Sequence, residues 1–468
     1  MMGPFSSIKD LGAALRKKEV SSAELTHIYL QRLKTKGREH RAVALLLEDH
    51  AQKAARKADQ TMSRASSPLH GIPYGAKDLL SFANHPTEWG SPGHKGQKFQ
   101  HSATVIERLN GAGAVLLAKL ATIELAGGGN YNVAHASSTG ACLCAWDKGR
   151  WAGGSSSGSG AATALGCVGF SIGTETSGSI TCPSAFNGCT GFRPTYGRVS
   201  RFGAMALCWS LDKIGPICRS AEDCAIVMAA IAGYDPKDAS TLTEKLSLAS
   251  SGRKPRIGLL KEDFKGSKAF AMSKAYSDAV AQFKRLGYEV VDVAYPKMPY
   301  GLAVGIIVDA EGASAHEQFI RSDRFQKLAD INQVAGFSAA LETRATDYLW
   351  AMRLRTEALR ANNVWDKCDC IFTPTFYHAA VPADRPFNET WVGMGGDEGP
   401  SNLLGWPAMA FPIGFETGQN SALKDPKGTL GTAPLGGQII APCMREDVCL
   451  RLALDYQRET DWHTRHPA

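Results

Sequence analysis

Hydrophobic and polar residues recur along the chain at spacings that predict helices interleaved with buried strands. In residues 21–36, Leu25 and Leu33 fall on one helical face, and Ser21 with Glu24 forms a capping box at the start. The same helical spacing predicts further helices at 50–59, 104–109, 220–233 and 446–459. Short apolar runs predict buried strands at 42–47, 114–119, 370–375, 401–415 and 433–442.

One segment predicts a strand, a helix and a second strand in succession. The segments 256–260 (RIGLL) and 288–293 (YEVVDV) predict strands, and the helical segment 268–286 lies between them. Such a unit pairs its two strands in parallel, because the helix carries the chain back to the same edge of the sheet. The expected fold class is therefore α/β.

The most unusual segment is 151–197, which is poor in charge and rich in Gly and Ser. It predicts a Gly/Ser loop, a short helix of small residues, a buried strand and a second Gly/Ser loop. A flexible linker would not continue into an apolar strand. Two serine-rich turns on one packed unit can bring two hydroxyl groups together.

A serine needs a base to become a nucleophile. No histidine is near 151–197 in sequence except His135, which lies in a polar turn. Lys77 lies in a tight, mostly apolar turn at 69–82. Burial lowers the pKa of a lysine towards neutrality, so Lys77 is a candidate base.

Composition excludes several classes of protein. The chain has 468 residues, 44% hydrophobic and 21% charged, with a net charge of +7, as in ordinary globular enzymes. That charge is too small to indicate a nucleic-acid or membrane partner, and no apolar run reaches the roughly 18 residues of a membrane span. The N-terminus lacks a secretion signal, so we expect a cytoplasmic protein.

Cysteine usage fits a reducing compartment. The 12 cysteines are scattered, and none forms a CxxC pair. They are expected to be buried free thiols. No cluster has the spacing of metal ligands, and neither a metal nor a cofactor is expected.

Several blocks together resemble the amidase signature family. They cover GIPYGAKD (71–78), GGSSSGSGAA (153–162), GTETSGSITCPSAFNG (173–188) and GFRPTYGRVS (191–200), with SLDKIGP, NLLGWP and PLGGQII further on. The resemblance implies one large domain over residues 6–468, after an N-terminal tail at 1–5. It further implies a mixed, twisted sheet covered by helices on both faces, with 151–197 as the signature core and 300–400 bordering the substrate entrance.

The resemblance also implies a catalytic triad of two serines and a lysine. By position in the motifs, Ser179 is the nucleophile, Ser155 the bridging serine after a cis peptide bond, and Lys77 the base. The backbone N–H groups of residues 176–179, Thr176, Ser177, Gly178 and Ser179, are expected to form the oxyanion hole. Ser156 is expected to support this network.

The sequence departs from the family pattern near the nucleophile. Ser177 replaces a usual glycine, Glu175 replaces a usual aspartate, and Thr181 replaces a usual basic residue. Leu79 replaces a usual asparagine after the lysine's aspartate. These changes leave the triad intact but weaken any transfer of substrate specificity.

The expected reaction is hydrolysis of a linear amide C–N bond, with aryl esters and carbamates, including urethanes, as further substrates. Gly127, Gly128 and Gly129 align loosely with a wall of the acyl pocket in fatty acid amide hydrolase. Three glycines would leave space there for a neutral, bulky or aromatic substrate. Substrate and water are the expected partners, with no nucleic acid or membrane, and a homodimer is left open.

Two other functions remain open. The chain could be the glutamine-hydrolysing subunit of a tRNA-dependent amidotransferase, although Glu175 and Thr181 favour a free-standing amidase. Alternatively, residues 154–158 fit the G-x-S-x-G pattern with Ser156 as nucleophile of a Ser-His-Asp esterase. That esterase would need a histidine, and the downstream candidates are His316, His378, His463 and His466.

Overall fold

The computed structural model describes residues 3–249, 252–260, 270–391, 400–417, 423 and 430–468. Within them, 11 strands form one sheet with the order β1-β3-β2-β4-β6-β5-β10-β11-β9-β7-β8. The strands are β1 (Val43–Leu46), β2 (Pro73–Lys77), β3 (Val115–Leu120), β4 (Phe170–Glu175), β5 (Thr190–Arg193), β6 (Lys213–Cys218), β7 (Ile257–Leu260), β8 (Val290–Val293), β9 (Cys370–Pro374), β10 (Ala408–Glu416) and β11 (Ala433–Ile440).

The α-helices of the described ranges connect these strands or extend from the sheet. They are α1 (Ile8–Lys17), α2 (Ser22–Arg32), α3 (Glu48–Thr61), α4 (Thr104–Gly111), α5 (Ser157–Ala164), α6 (Thr181–Asn187), α7 (Ala221–Ile231), α8 (Phe270–Arg285), α9 (Tyr300–Ile320), α10 (Ile331–Ala340), α11 (Ala345–Ala361), α12 (Phe387–Thr390), α13 (Pro400–Leu403) and α14 (Glu446–Arg458). Part of the predicted helix 268–286 and part of the region 300–400 fall outside the described residues.

The predicted fold class is confirmed: the protein is α/β with a mixed sheet. β2 pairs in parallel with β3 and β4, and β7 pairs in parallel with β8 and β9, while the other neighbours are antiparallel. The parallel β7–β8 pair is the strand–helix–strand unit predicted at 256–293. The capping box of Ser21 and Glu24 also forms, at the start of α2.

Helices cover both faces of the sheet at β11. Successive residues of a strand point to opposite faces, so Gly436 and Gly437 report on the two sides. A Cβ on Gly436 would meet Ala185 of α6. A Cβ on Gly437 would meet the ring of Phe372 in β9, which stacks on Tyr276 of α8. The sheet is therefore enclosed on both faces at this central strand, and polar groups there are removed from water.

The segment 151–197 folds as its sequence predicts. A Gly/Ser loop leads into α5, the buried strand β4 follows, and a second Gly/Ser turn leads into α6. β4 lies beside β2, where Tyr74 stacks on Phe170 with ring centroids 5.1 Å apart. This packing fixes the end of β2 next to the end of β4.

The cysteines are free, as predicted. All 12 are described, and each is buried except Cys443. No described helix has the length and apolar character needed to cross a membrane.

The buried carboxylate of Glu446 ties the C-terminal helix to the loop after β5. It accepts hydrogen bonds from the backbone N–H of Thr195 at 3.0 Å and from Arg198 Nε at 3.3 Å. Glu446 is fully buried and Arg198 nearly so. Removing one member of such a pair leaves the other charge buried without a partner.

We therefore expect Glu446→Ala to destabilise the protein by about 3–5 kcal/mol. The midpoint of thermal unfolding measures this loss. The matched control is Asp447→Ala in the same helix turn, because Asp447 pairs with the more exposed Arg445. Equal shifts in the two variants would contradict the role assigned to Glu446.

Candidate active site

The site begins at the C-terminal residue of β2, where Lys77 is completely buried. Its Nζ donates to Ser155 Oγ at 2.8 Å and to Thr174 Oγ1 at 2.9 Å. Thr174 belongs to β4, which runs parallel to β2, so the two strands end at the same edge of the sheet. The parallel register thus delivers the lysine to the first Gly/Ser loop.

Ser155 and Ser156 lie in the loop before α5. The peptide bond between Gly154 and Ser155 is cis. Ser156 Oγ donates to the carbonyl of Thr174 at 3.1 Å and accepts from its N–H at 3.2 Å. Both hydrogen bonds hold the loop against β4, and this fixes the position of the neighbouring Ser155.

Ser179 lies in the turn between β4 and α6 and is 9% exposed. Its carbonyl accepts from the N–H of Ser156 at 3.3 Å, which links the two serine turns. The structure therefore brings Lys77 and Ser155 into contact, and it places Ser179 on the wall of a cavity with its backbone bonded to the residue after Ser155. Within the part of the chain that is described, its hydroxyl makes no hydrogen bond.

The turn at residues 176–179 leaves its donors free. None of the backbone N–H groups of Thr176, Ser177, Gly178 and Ser179 is used in a hydrogen bond among the described residues. Gly178 has φ +84°, a conformation that favours glycine. Four unused N–H groups beside a serine hydroxyl can stabilise a negative charge that forms there.

Burial lowers the pKa of Lys77 to about 7, against the opposing effect of the carboxylates of Asp212 and Glu175. A second buried lysine, Lys213 at the start of β6, also has its pKa lowered to about 7. Burial is the main cause, and the charge of Arg193 adds to it. Both amines can therefore be neutral near physiological pH.

The carboxylate of Glu175 holds the turn at residues 176–179 in place through hydrogen bonds to the residues that follow it. Burial opposes its ionisation, but Arg193 and Lys213 outweigh this and hold its pKa at about 2. One oxygen pairs with Arg193 at 2.7 Å, and the other accepts from the N–H groups of Ile180 and Thr181. The Thr181 hydroxyl also donates to it at 3.3 Å. Two of the departures from the family pattern, Glu175 and Thr181, thus contact each other beneath the turn.

Three residues at the site were not singled out from the sequence: Thr174, Asp212 and Lys213. Asp212 accepts from the hydroxyl of Thr176 at 2.5 Å and from the N–H groups of Leu207 and Cys208. Lys213 Nζ donates to the carbonyl of Thr176 at 3.1 Å. The sequence does carry a signal for Asp212 and Lys213, because two adjacent charged residues are unusual at the start of an apolar strand.

A cavity of about 330 Å³ opens in front of Ser179. The serine turn forms one wall, and one face of α9 forms another. Tyr131, Phe376 and Trp391 contribute aromatic surface. A substrate bound here would meet the nucleophile against a partly aromatic lining.

The expected open space beside Gly127, Gly128 and Gly129 is absent, which corrects the sequence analysis. Gly127 lines the cavity, but a Cβ there would meet the Tyr131 ring at 2.5 Å. Beside the other two glycines, the ring of Phe337 occupies the corresponding space. These glycines permit close packing, so a large residue at Gly128 would disrupt α10 rather than fill a pocket.

The Ser156 esterase is not supported by the geometry. Both hydrogen bonds of the Ser156 hydroxyl go to the backbone of Thr174. None of the chain's 12 histidines, all of them described, forms a hydrogen bond with it. His378, for example, is buried among aromatic rings, with its Nδ1 on the carbonyl of Ala379. Among the described residues, no group of three His, Cys, Asp or Glu is arranged to hold a metal ion.

Comparison with known proteins identifies a family model and a curated relative that both match most of this chain. The profile of the Amidase family matches residues 24–450. A curated relative from Chloroflexus aggregans, one of the subunits of its glutamyl-tRNA(Gln) amidotransferase, is 35% identical over 99% of this chain and 98% of its own.

Solved structures share the fold over nearly the whole chain. A protein from a vestigial complex linked to the origin of an s-triazine catabolic enzyme has a TM-score of 0.83 at 27% identity, covering 97% of this chain and 98% of its own. The peptide amidase of Stenotrophomonas maltophilia has a TM-score of 0.80 at 27% identity, covering 97% of both chains. The chain therefore belongs to the amidase signature family, whose members include enzymes that act on amide C–N bonds.

Proposed function

We propose that this protein hydrolyses a carboxylic amide through an acyl-enzyme on Ser179. The observation that carries the proposal is Lys77, a buried amine with a pKa of about 7, in contact with Ser155 at 2.8 Å. A neutral amine at this position can accept a proton, which a surface lysine at neutral pH cannot. No histidine is required for this chemistry.

The proposed proton path runs through both serines. Ser179 Oγ attacks the carbonyl carbon while its proton passes to Ser155 Oγ, and the Ser155 proton passes to Lys77 Nζ. When the C–N bond breaks, the leaving amine takes the proton back along the same path. Water then attacks the acyl-enzyme with the same relay and releases the acid.

The free N–H groups at residues 176–179 would stabilise the oxyanion. Loss of one such donor typically lowers the rate by about 10²–10³-fold. Asp212 and Glu175 hold this turn through Thr176 and Thr181 respectively. They act as positioning residues, and they also raise the pKa of Lys77 against the effect of burial.

The cavity fits a bulky substrate with an aromatic or apolar part. Its aromatic surface at Tyr131, Phe376 and Trp391 supports this. Aryl esters and carbamates, including urethanes, present a similar carbonyl to Ser179. They are therefore included in the proposed substrate range.

The second candidate is a glutamine-hydrolysing subunit of an amidotransferase, acting with protein partners. The relative from Chloroflexus aggregans is named as an amidotransferase subunit, and this similarity favours the candidate over a free-standing amidase. The departures at Glu175 and Thr181 do not weigh against it, because the two side chains contact each other beneath the turn and do not line the cavity.

One feature of the cavity favours the free-standing amidase. Glutamine carries a carboxylate, which a binding site normally pairs with Lys or Arg. No cationic side chain is found among the described residues that line the cavity.

Ser179→Ala is expected to abolish covalent labelling by a fluorophosphonate probe and to lower amide hydrolysis by at least about 10³-fold. Mass spectrometry of the labelled peptide locates the probe. Ser177→Ala is the matched control, because Ser177 is exposed in the same turn and should keep labelling. Labelling retained in Ser179→Ala would refute the assignment.

The rate should rise with pH through about 7, because Lys77 must be neutral to accept a proton. Asp212 raises the pKa of Lys77, so Asp212→Asn is expected to move the midpoint of kcat/KM to lower pH. The rise of kcat/KM through pH 7 should persist in Lys213→Met and be lost in Lys77→Ala, although both lysines have a pKa near 7. Loss of this rise only in Lys213→Met would contradict the role of Lys77.

A hydrolysis panel separates the two candidates. Aryl p-nitroanilides, aryl carbamates and glutamine are offered to the same enzyme, and kcat/KM is compared. A free-standing amidase should prefer the aryl substrates, because the cavity is partly aromatic. A preference for glutamine, or activity only after a partner protein is added, would instead establish the amidotransferase function.

A further inference from the structure

Helix α9 presents one face to the cavity. Gly301, Val304, Gly305, Val308 and Asp309 all line it, and their spacing of three and four residues places them on the same side of a helix. This face and Ser179 line the same cavity. The helix face is therefore placed to contact a substrate bound at Ser179.

Two glycines on this face are not explained by packing. A Cβ on Gly301 or on Gly305 would meet no atom within 4 Å. Glycine weakens a helix, so in its interior it is usually retained where a neighbour approaches closely. Gly336 of α10 shows that case, because a Cβ there would collide with the backbone of Gly129. Gly305 instead leaves the surface open one turn before Asp309.

Asp309 is a partly buried carboxylate without a partner. It makes no hydrogen bond or ion pair with any residue that the structure describes, and burial alone raises its pKa. In neighbouring Glu311, also on α9, both carboxylate oxygens accept hydrogen bonds. One accepts from the N–H of Ser210 at 2.9 Å and the other from the Tyr348 hydroxyl at 2.9 Å. The contrast indicates that Glu311 is structural and that Asp309 is free to bind a ligand.

The lining as described offers Asp309 no counter-charge. It contains no Lys, Arg or His and no second carboxylate. An ionised carboxylate in a partly desolvated site binds strongly to a cation that brings N–H donors. Aromatic side chains in the same cavity also attract cations through their ring faces.

We propose that Asp309 is a specificity-determining residue that binds a positively charged group of the substrate, an ammonium or guanidinium, while Ser179 attacks the amide carbonyl. The inference rests on the proposed function and narrows it. The neutral substrate expected from the sequence becomes one with an apolar body and a cationic end.

The test uses two pairs of substrates that differ only in charge. δ-Aminovaleryl p-nitroanilide and hexanoyl p-nitroanilide carry the change on the acyl side. Benzoylcadaverine and N-hexylbenzamide carry it on the leaving amine. In at least one pair, kcat/KM of the wild-type enzyme should favour the cationic member by about 10- to 100-fold, as expected for a charged hydrogen bond.

Asp309→Asn should remove this preference, so that kcat/KM for the cationic member no longer exceeds that for the neutral member. Glu317→Gln is the matched control, because it makes the same charge change on the exposed side of the same helix. It should keep the preference. Fluorophosphonate labelling of Ser179 at the wild-type rate shows that the Asp309→Asn enzyme is folded and competent.

Three results would overturn the role of Asp309. They are equal kcat/KM within both pairs in the wild-type enzyme, a preference that survives in Asp309→Asn, and turnover of none of the four substrates by enzyme that is still labelled at Ser179. Each leaves the proposed nucleophile standing. Failure of the proposed function is recognised separately, because the probe would then not react at Ser179.

Discussion

The contact on which the site depends is the hydrogen bond between a buried amine and a serine, Lys77 Nζ to Ser155 Oγ at 2.8 Å. An amine at the end of a strand enclosed by the sheet and its helices loses hydration, and its charged form becomes costly. The fold thus lowers the pKa of the lysine to about 7 and holds it in hydrogen-bonding distance of the bridging serine. A surface position would satisfy neither condition.

Two carboxylates, an arginine and a second lysine lie around this amine. Glu175 pairs with Arg193, and Asp212 holds the turn at Thr176, while Lys213 adds a second amine with a pKa of about 7. Each carboxylate has a structural task in the turn and also raises the pKa of Lys77. Position and protonation of the base are therefore coupled, and a substitution that loosens the turn also changes the pH at which the base works.

Much of this was readable from the sequence, because local patterns carry it. The Gly/Ser turns, β4 and the parallel β7–β8 unit follow from residues close together in the chain. Thr174 as a partner of Lys77 was not predictable, since it depends on the parallel register of two strands 97 residues apart. The glycines at 127–129 were misread for a related reason. A glycine indicates that something approaches closely, but not that the approaching group is a ring of Phe337, far along the chain.

The same reasoning applies to α9, which lies in the region 300–400 that was expected to border the substrate entrance, because that expectation does not say which side of the helix faces the cavity. Which side meets Ser179 is decided by packing, and packing places Asp309 in the cavity and Glu311 against Ser210. The two candidate functions then differ in one electrostatic respect. Glutamine brings both an ammonium and a carboxylate to the enzyme, whereas the described lining offers a partner for the ammonium alone. Among the described residues that line the cavity with Ser179, Asp309 is the one carboxylate. It is better matched to a substrate with one charge, and that charge is positive.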